Sequence, residues 1–210
     1  YAASPLNNPQ NDIEKWKEAA KAANEVMQMK KVGSMIKPLY QLSNNYQNLF
    51  LAPNSYSDDE VIFYIRYANS NILEAWNYPI GTPGGSSGVT PTQNLVDAYD
   101  KLDGWDPSRP YDRVDPRMQY TIVVNNSTWN GRKIECYTGG KDGVGQRNAS
   151  RTGYYLKKFL SPNLDLTGTT PGRSMKAWIM FRYAEILLNY AEAMNEAFGP
   201  NGTSRGDGLT

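Results

Sequence analysis

Two long alanine-rich segments, residues 12–31 near one end and 175–198 near the other, constrain the fold of this chain more than any other feature. In the first, Ile13, Trp16, Ala20, Ala23 and Met27 recur at three- and four-residue steps, the period of a helix that buries one face. Asn11 or Asp12 can cap its start, and Glu14 lies in the first turn, where the helix dipole favours an anion. Lys30 and Lys31, followed by Gly33, close it. In the second segment Ser174 is read as the cap. Ala177, Phe181, Ala184, Leu188, Ala191, Met194 and Phe198 form its apolar stripe, ended by Gly199-Pro200. At about 24 residues it would reach roughly 36 Å. The small side chains let a second helix approach closely, so the chain should pack helix on helix around a large insertion.

Between the two segments the pattern is mixed. Residues 39–50 are expected to form a shorter helix, the hairpin partner of the first. Residues 60–68, rich in β-branched and aromatic side chains, read as a buried strand. Residues 69–91 read as loop, since Pro79, Gly81, Pro83, Gly84, Gly85 and Gly88 disfavour any regular element. A short helix is expected over 92–100. Met118, Tyr120, Ile122 and Val124 alternate as in a half-buried strand. Asn130-Gly131 predicts a type I′ turn into 132–137. Residues 139–153 read as a flexible loop and 154–160 as a third strand. The expected fold is mainly α, a helical-repeat scaffold with an irregular insertion containing a few short strands.

Composition excludes several functions. Histidine is absent, so no Ser-His-Asp or Cys-His site and no imidazole metal site can be built from this chain. Cys136 is the sole cysteine, which rules out an intrachain disulfide. With 22 basic and 21 acidic residues mixed along it, the chain has no basic stripe for nucleic acid. No apolar run is long enough for a transmembrane helix, and no signal peptide opens the chain. The two ends read as linker and loop, so a fragment of a longer protein is expected.

The last helical segment carries a resemblance. Arg182, Ala184, Glu185, Leu188, Asn189, Tyr190, Ala191, Glu192 and Ala193 fall on the signature helix of the SusD/RagB family. Residues 91–99 (PTQNLVDAY), Asp115-Pro116-Arg117 with Thr121-Ile122, Gly153-Tyr154-Tyr155 and the Trp16 helix are similar to the family in the same order. The resemblance implies a single segment of a tetratricopeptide-like scaffold. Residues 1–57 would be its helical-repeat part, 58–173 the insertion, and 174–210 the signature helix with a terminal loop. It also implies a surface-exposed lipoprotein of the outer membrane, held by a lipid anchor that this chain lacks. Such a protein would capture an oligosaccharide or other nutrient without catalysis and pass it to a SusC-like TonB-dependent transporter.

A sugar presents C–H faces and a rim of hydroxyls, so its sites pair an aromatic platform with amide, carboxylate or guanidinium groups. Residues 71–78 are the best such cluster. Trp76 and Tyr78 would stack, while Asn71, Asn77 and Glu74 would bond hydroxyls; the competing reading has Trp76 and Tyr78 anchoring the loop. Trp105 is a second candidate. Trp16, Trp129 and Trp178 read as packing, the first and last on helices. Asp100, Asp103, Asp106, Asp112 and Asp115 do not fit a calcium loop and read as turn formers, so no metal is expected. Residues 139–145 match neither nucleotide-binding glycine pattern, so no cofactor is expected. Asn126-Ser127-Thr128 and Asn201-Gly202-Thr203 spell glycosylation sequons, and Arg205-Gly206-Asp207 an integrin motif; all read as chance. Glu185 and Glu192 stand two turns apart and read as structural, Glu185 pairing with Arg182. Two other functions compete: a helical-repeat module for protein or peptide, and a carbohydrate-active enzyme working on carboxylates.

Overall fold

Asp12 starts the first helix, α1 (Ile13–Gln28), its carboxylate accepting the Glu14 amide at 3.0 Å. This structure is a computed structural model and describes residues 3–51 and 55–200. The second sequon and the Arg205-Gly206-Asp207 motif lie outside the described residues. The chain divides into two compact units. One takes in the chain up to Asn44, Tyr56–Ile65 and the chain from Ile179; the other is Asn45–Ser55 with Arg66–Trp178.

In the first unit α1 packs on α6 (Tyr183–Phe198). Ala3, Trp16, Ala20 and Ala193 are buried together, with Tyr190, Met194 and Phe198 closing over them. Alanines at the contact let the two backbones approach closely, as the sequence predicts, but the partner of α1 is not residues 39–50. Residues 39–45 are irregular, and the helix is confined to α2 (Tyr46–Leu51). The polar run Ser43 to Asn45 is the cause. Ser43 gives its amide to Glu60 Oε2 at 2.8 Å and its hydroxyl to Asp58 Oδ2 at 2.7 Å, and Asn45 accepts the Asn48 amide at 3.0 Å.

The second correction concerns the expected long helix. Its first third is a strand, β6 (Ser174–Arg182), which pairs with β1 (Val61–Ser70). A short apolar run such as Ala177 to Phe181 fits either period, and the available strand partner decides. Arg182 forms an ion pair with the buried Glu60 rather than with Glu185, and the Tyr183 amide bonds Glu60 O at 2.8 Å where the helix begins. β1 is more exposed than a buried strand should be, because among the described residues β6 is its sole ladder partner.

The second unit is mostly irregular. Its helices are α2, α3 (Ile72–Asn77), α4 (Gln93–Asp97) and α5 (Arg117–Thr121). Residues 118–121 turn as a helix, not a strand, because Asp115 accepts the Arg117 amide at 2.9 Å ahead of it. The strand that follows, β2 (Ile122–Val123), pairs antiparallel with β5 (Tyr155–Leu156). β5 is short: the amides of Lys157 and Lys158 both go to Thr121 O, at 3.0 and 3.2 Å, and a turn with Phe159 at a φ of 69° follows. The turn at Asn130-Gly131 has φ of 50° and 73°, and it joins β3 (Thr128–Trp129) to β4 (Arg132–Lys133) in the type I′ manner.

Tyr78, Val123, Trp129, Ile134, Tyr155 and Leu160 form one core of this unit, and Val114, Met118, Ile122 and Tyr154 another. The glycine-rich loop over 139–145 folds back tightly: a Cβ on Gly143 would lie 1.8 Å from Tyr137 O. At its centre Asp142 is wholly buried. It accepts the amides of Gly81 and Glu135, both at 3.0 Å, and pairs with Arg132. Burial alone would raise its pKa, but Arg132 and the two amides outweigh that and hold it below the usual carboxylate range.

Ala20→Leu should overpack the α1–α6 contact and cost about 1–3 kcal/mol in thermal unfolding. The Asp142 carboxylate contributes stability that is fully present above about pH 4, the unfolded carboxylate value, and is lost as pH falls through its lower folded value. Asp142→Asn should therefore lower stability at neutral pH and flatten its acid dependence, as read by urea unfolding from pH 2 to 7.

Candidate functional site

The short helix α3 separates the residues expected to act together. Ile72 and Trp76, four apart, share its exposed face, and Trp76 is 65% exposed. Asn71, half-buried, stands just ahead of the helix, its carbonyl accepting the Ala75 amide at 2.9 Å. Glu74, Asn77 and Tyr78 are buried. Tyr78 gives its hydroxyl to Ser161 O and accepts the Leu164 amide at 3.2 Å, and its ring meets Trp129 edge-on. Burial pushes the phenol up to about 12. Asn77 bridges its own helix and the returning loop, donating to Leu73 O at 2.8 Å and accepting from Val89 N at 3.0 Å. Glu74 accepts the Ser161 amide at 2.8 Å and pairs with Lys176. These three hold α3 and the 79–88 loop in place, leaving Trp76 with Asn71 accessible.

Trp105 is half-buried, far along the chain from α3. Its indole donates to Pro110 O at 3.1 Å, and the Lys101 ammonium lies 4.0 Å from its ring centre. It sits in a loop whose ends are tied together, the Leu102 amide to Arg113 O at 2.8 Å and the Asp115 amide to Asp100 O at 2.9 Å. Asp106 and Asp115 serve as turn formers there, accepting the amides of Ser108 and Arg117. With Tyr99, Tyr111 and Tyr154, Trp105 lines a recess of about 150 Å³ that also receives Gln93, Asp97 and Lys101.

Next to this recess, and sharing Pro110, Tyr111 and Met118 with it, opens a cleft of about 730 Å³. Its walls come from the 108–112 loop, α5, β2, the 124–128 turn and Lys157. The Asn126 and Gln119 side-chain amides and the Thr128 hydroxyl bond no protein group among the described residues, so their donors and acceptors are free for a ligand. Asn125 is fixed by accepting the Cys136 amide at 2.9 Å. Asn126 takes a positive φ of 64°, which an asparagine tolerates and which the reading of residues 126–128 as a chance sequon does not capture. Paired asparagines ahead of a turn were the available signal.

A third space, of about 350 Å³, is apolar. Phe50, Tyr67, Ile72, Phe159, Met175 and Trp178 line much of it. Trp178 is half-exposed on strand β6, stacked on Phe159 at 4.6 Å, and not the helical packing residue expected. Lys176 also borders this space, but its ammonium is occupied by Glu74 and by Ser161 Oγ at 2.6 Å. Among the described residues no helix is long and apolar enough to cross a membrane, and no cluster of three or more acidic or thiol ligands is present.

The sequence profile of the SusD family matches residues 50–205. A SusD-like carbohydrate-binding protein from Bacteroides fragilis is 28% identical, with a TM-score of 0.69 over 87% of this chain and 37% of that one. A second SusD-like protein from the same organism is 23% identical, with a TM-score of 0.70 over 94% of this chain and 43% of that one. Surface glycan-binding protein A from Bacteroides thetaiotaomicron, solved in complex with laminarihexaose, is 18% identical, with a TM-score of 0.56 over 89% of this chain and 40% of that one. The chain thus spans about two fifths of the length of these structures. No curated protein sequence matches it.

Glu74→Gln would leave the Lys176 ammonium half-buried without its carboxylate. It should cost about 3–5 kcal/mol in urea unfolding, while Trp76→Ala, on the exposed face, should cost under about 0.5 kcal/mol.

Proposed function

The chain belongs to the SusD family, and from that premise we propose that it captures an oligosaccharide without turning it over. The observation that carries this reading is the polar cleft, where amide and hydroxyl groups without protein partners share a lining with Tyr111, which also borders the adjoining recess of Trp105. That combination suits a ligand with C–H faces and a hydroxyl rim. Trp76 offers a second stacking platform, and Asn71 stands at the start of the same helix. Glu74, Asn77 and Tyr78 enter the reading as the residues that set α3. The fold likeness to a glycan-binding protein with a bound laminari-oligosaccharide supports the same class of ligand.

Hydrolysis is not part of the proposal. A glycosidase flanks the scissile bond with two carboxylates, whereas Asp112 is the one carboxylate lining the cleft among the described residues, and it faces Arg109 at 3.6 Å. The same reading assigns the α1–α6 pair to a tetratricopeptide-like scaffold. It places the full-length protein at the surface of the outer membrane through a lipid anchor, delivering its ligand to a SusC-like TonB-dependent transporter. Capture of a peptide is the second reading, favoured by the apolar 350 Å³ space, which suits an apolar side chain better than a sugar.

Calorimetric titration against a panel of neutral and charged oligosaccharides should give dissociation constants in roughly the micromolar-to-millimolar range, with no release of reducing ends. Trp76→Ala and Asn126→Ala should each weaken binding by about two- to tenfold. Release of reducing ends overturns the non-catalytic claim. Silence across the whole panel, with a peptide library giving binding, replaces capture of glycan by capture of peptide.

A further inference from the structure

Two lysines of the second unit are half-buried beside cavities, and they differ in one respect. Lys176 is neutralised by Glu74. Lys157, which lines the polar cleft, has no carboxylate partner among the described residues. Its ammonium donates to Gln119 O at 2.7 Å and lies 5.3 Å from the centre of the Trp129 ring. A carbonyl and an aromatic face ease its desolvation without cancelling its charge, and the ammonium keeps further donors unused. Burial pulls its pKa below the usual lysine range, as expected for a cation taken partly out of water with no anion to offset the cost.

The two other charges of the lining, Arg109 and Asp112, face each other at 3.6 Å, and Asp106, outside the lining, is 3.8 Å from Arg109; all three side chains are well exposed. Lys157 is therefore the one charge of the lining that faces no opposite charge, and apart from the Arg109–Asp112 pair the rest of the lining is amides, hydroxyls and apolar groups. An uncompensated cation next to unbonded amides is the arrangement that recognises an anionic group carried on a hydroxylated ligand.

Resting on the glycan-capture reading above, we infer that the cleft selects an anionic sugar, with Lys157 taking the carboxylate or sulfate and Asn126, Gln119 and Thr128 taking the neighbouring hydroxyls. A charge-assisted bond in a partly dehydrated cleft discriminates more strongly than a neutral one, so the anionic form should bind about tenfold tighter or better than its neutral counterpart.

Three probes separate the possibilities: an oligogalacturonate, its fully methyl-esterified counterpart of equal length, and a sulfated galactan oligosaccharide. Titrated calorimetrically, the protein should prefer either the carboxylated or the sulfated probe over the ester by at least about tenfold, and the one preferred identifies the anion. Raising the salt should shrink that preference. Lys157→Met, which keeps the aliphatic stem against Trp129, should bring the acid down to the level of the ester, and Lys157→Arg should restore most of the difference. An ester that binds as tightly as the acid, or a preference that survives Lys157→Met, overturns the inference. If neutral glycans of the wider panel bind and no anionic one does, the inference falls and capture stands. If no glycan binds at all, both fall.

Discussion

Asp142 takes hydrogen bonds from Arg132 and from the backbone amides of Gly81 and Glu135, and the irregular second unit is arranged around that buried carboxylate. Long loops bring many backbone groups inside without a ladder to satisfy them, and each unsatisfied group costs about 1–3 kcal/mol. A carboxylate accepts several donors at once, so it can serve amides from loops far apart in sequence. Gly81 and Glu135 are more than fifty residues apart, and both point at the same side chain. Glu74 does similar service for Ser161, and in the first unit the Glu60 carboxylate does so for Ser43. Where strands are two residues long, buried acids replace the sheet.

That substitution explains which elements the sequence reveals and which it hides. The α1 helix is legible because its cap, its period and its small face agree, and the Asn130-Gly131 turn is legible because both residues accept positive φ. The strand β6 is not, since residues 175–181 fit the helical stripe equally well and the decision rests with β1, more than a hundred residues upstream. Likewise no local signal in residues 39–50 announces that Ser43 will bond Asp58 and Glu60 instead of continuing a helix. Local patterns are decided locally only where no distant partner competes.

The candidate site follows the same rule. Residues 71–78 have the composition of a sugar site, but on a one-and-a-half-turn helix side chains of such a cluster face different ways. Trp76 faces out, while Glu74, Asn77 and Tyr78 face in and satisfy Ser161, Leu164 and Val89. Composition proposes the segment, and helical geometry divides it between an exposed face and a buried one. The cleft around Asn126 and Lys157 is drawn from four separate stretches of chain, and only the fold brings them together.

The chemistry of the second unit is then set by how each half-buried cation is treated. Glu74 neutralises Lys176, so the space beside it presents aromatic and aliphatic surface and offers a sugar little to bond. Lys157 meets a carbonyl and an indole face instead of an acid, so its charge remains available to whatever enters the cleft. Had Lys157 been given a buried carboxylate, the cleft would be electrically neutral and its amides alone would choose the ligand. Leaving it unpaired costs some stability, the usual state of affairs where a polar group is kept ready for a partner that is not part of the chain. The same residue type thus closes one cavity to polar ligands and opens the other, and the difference is a single glutamate.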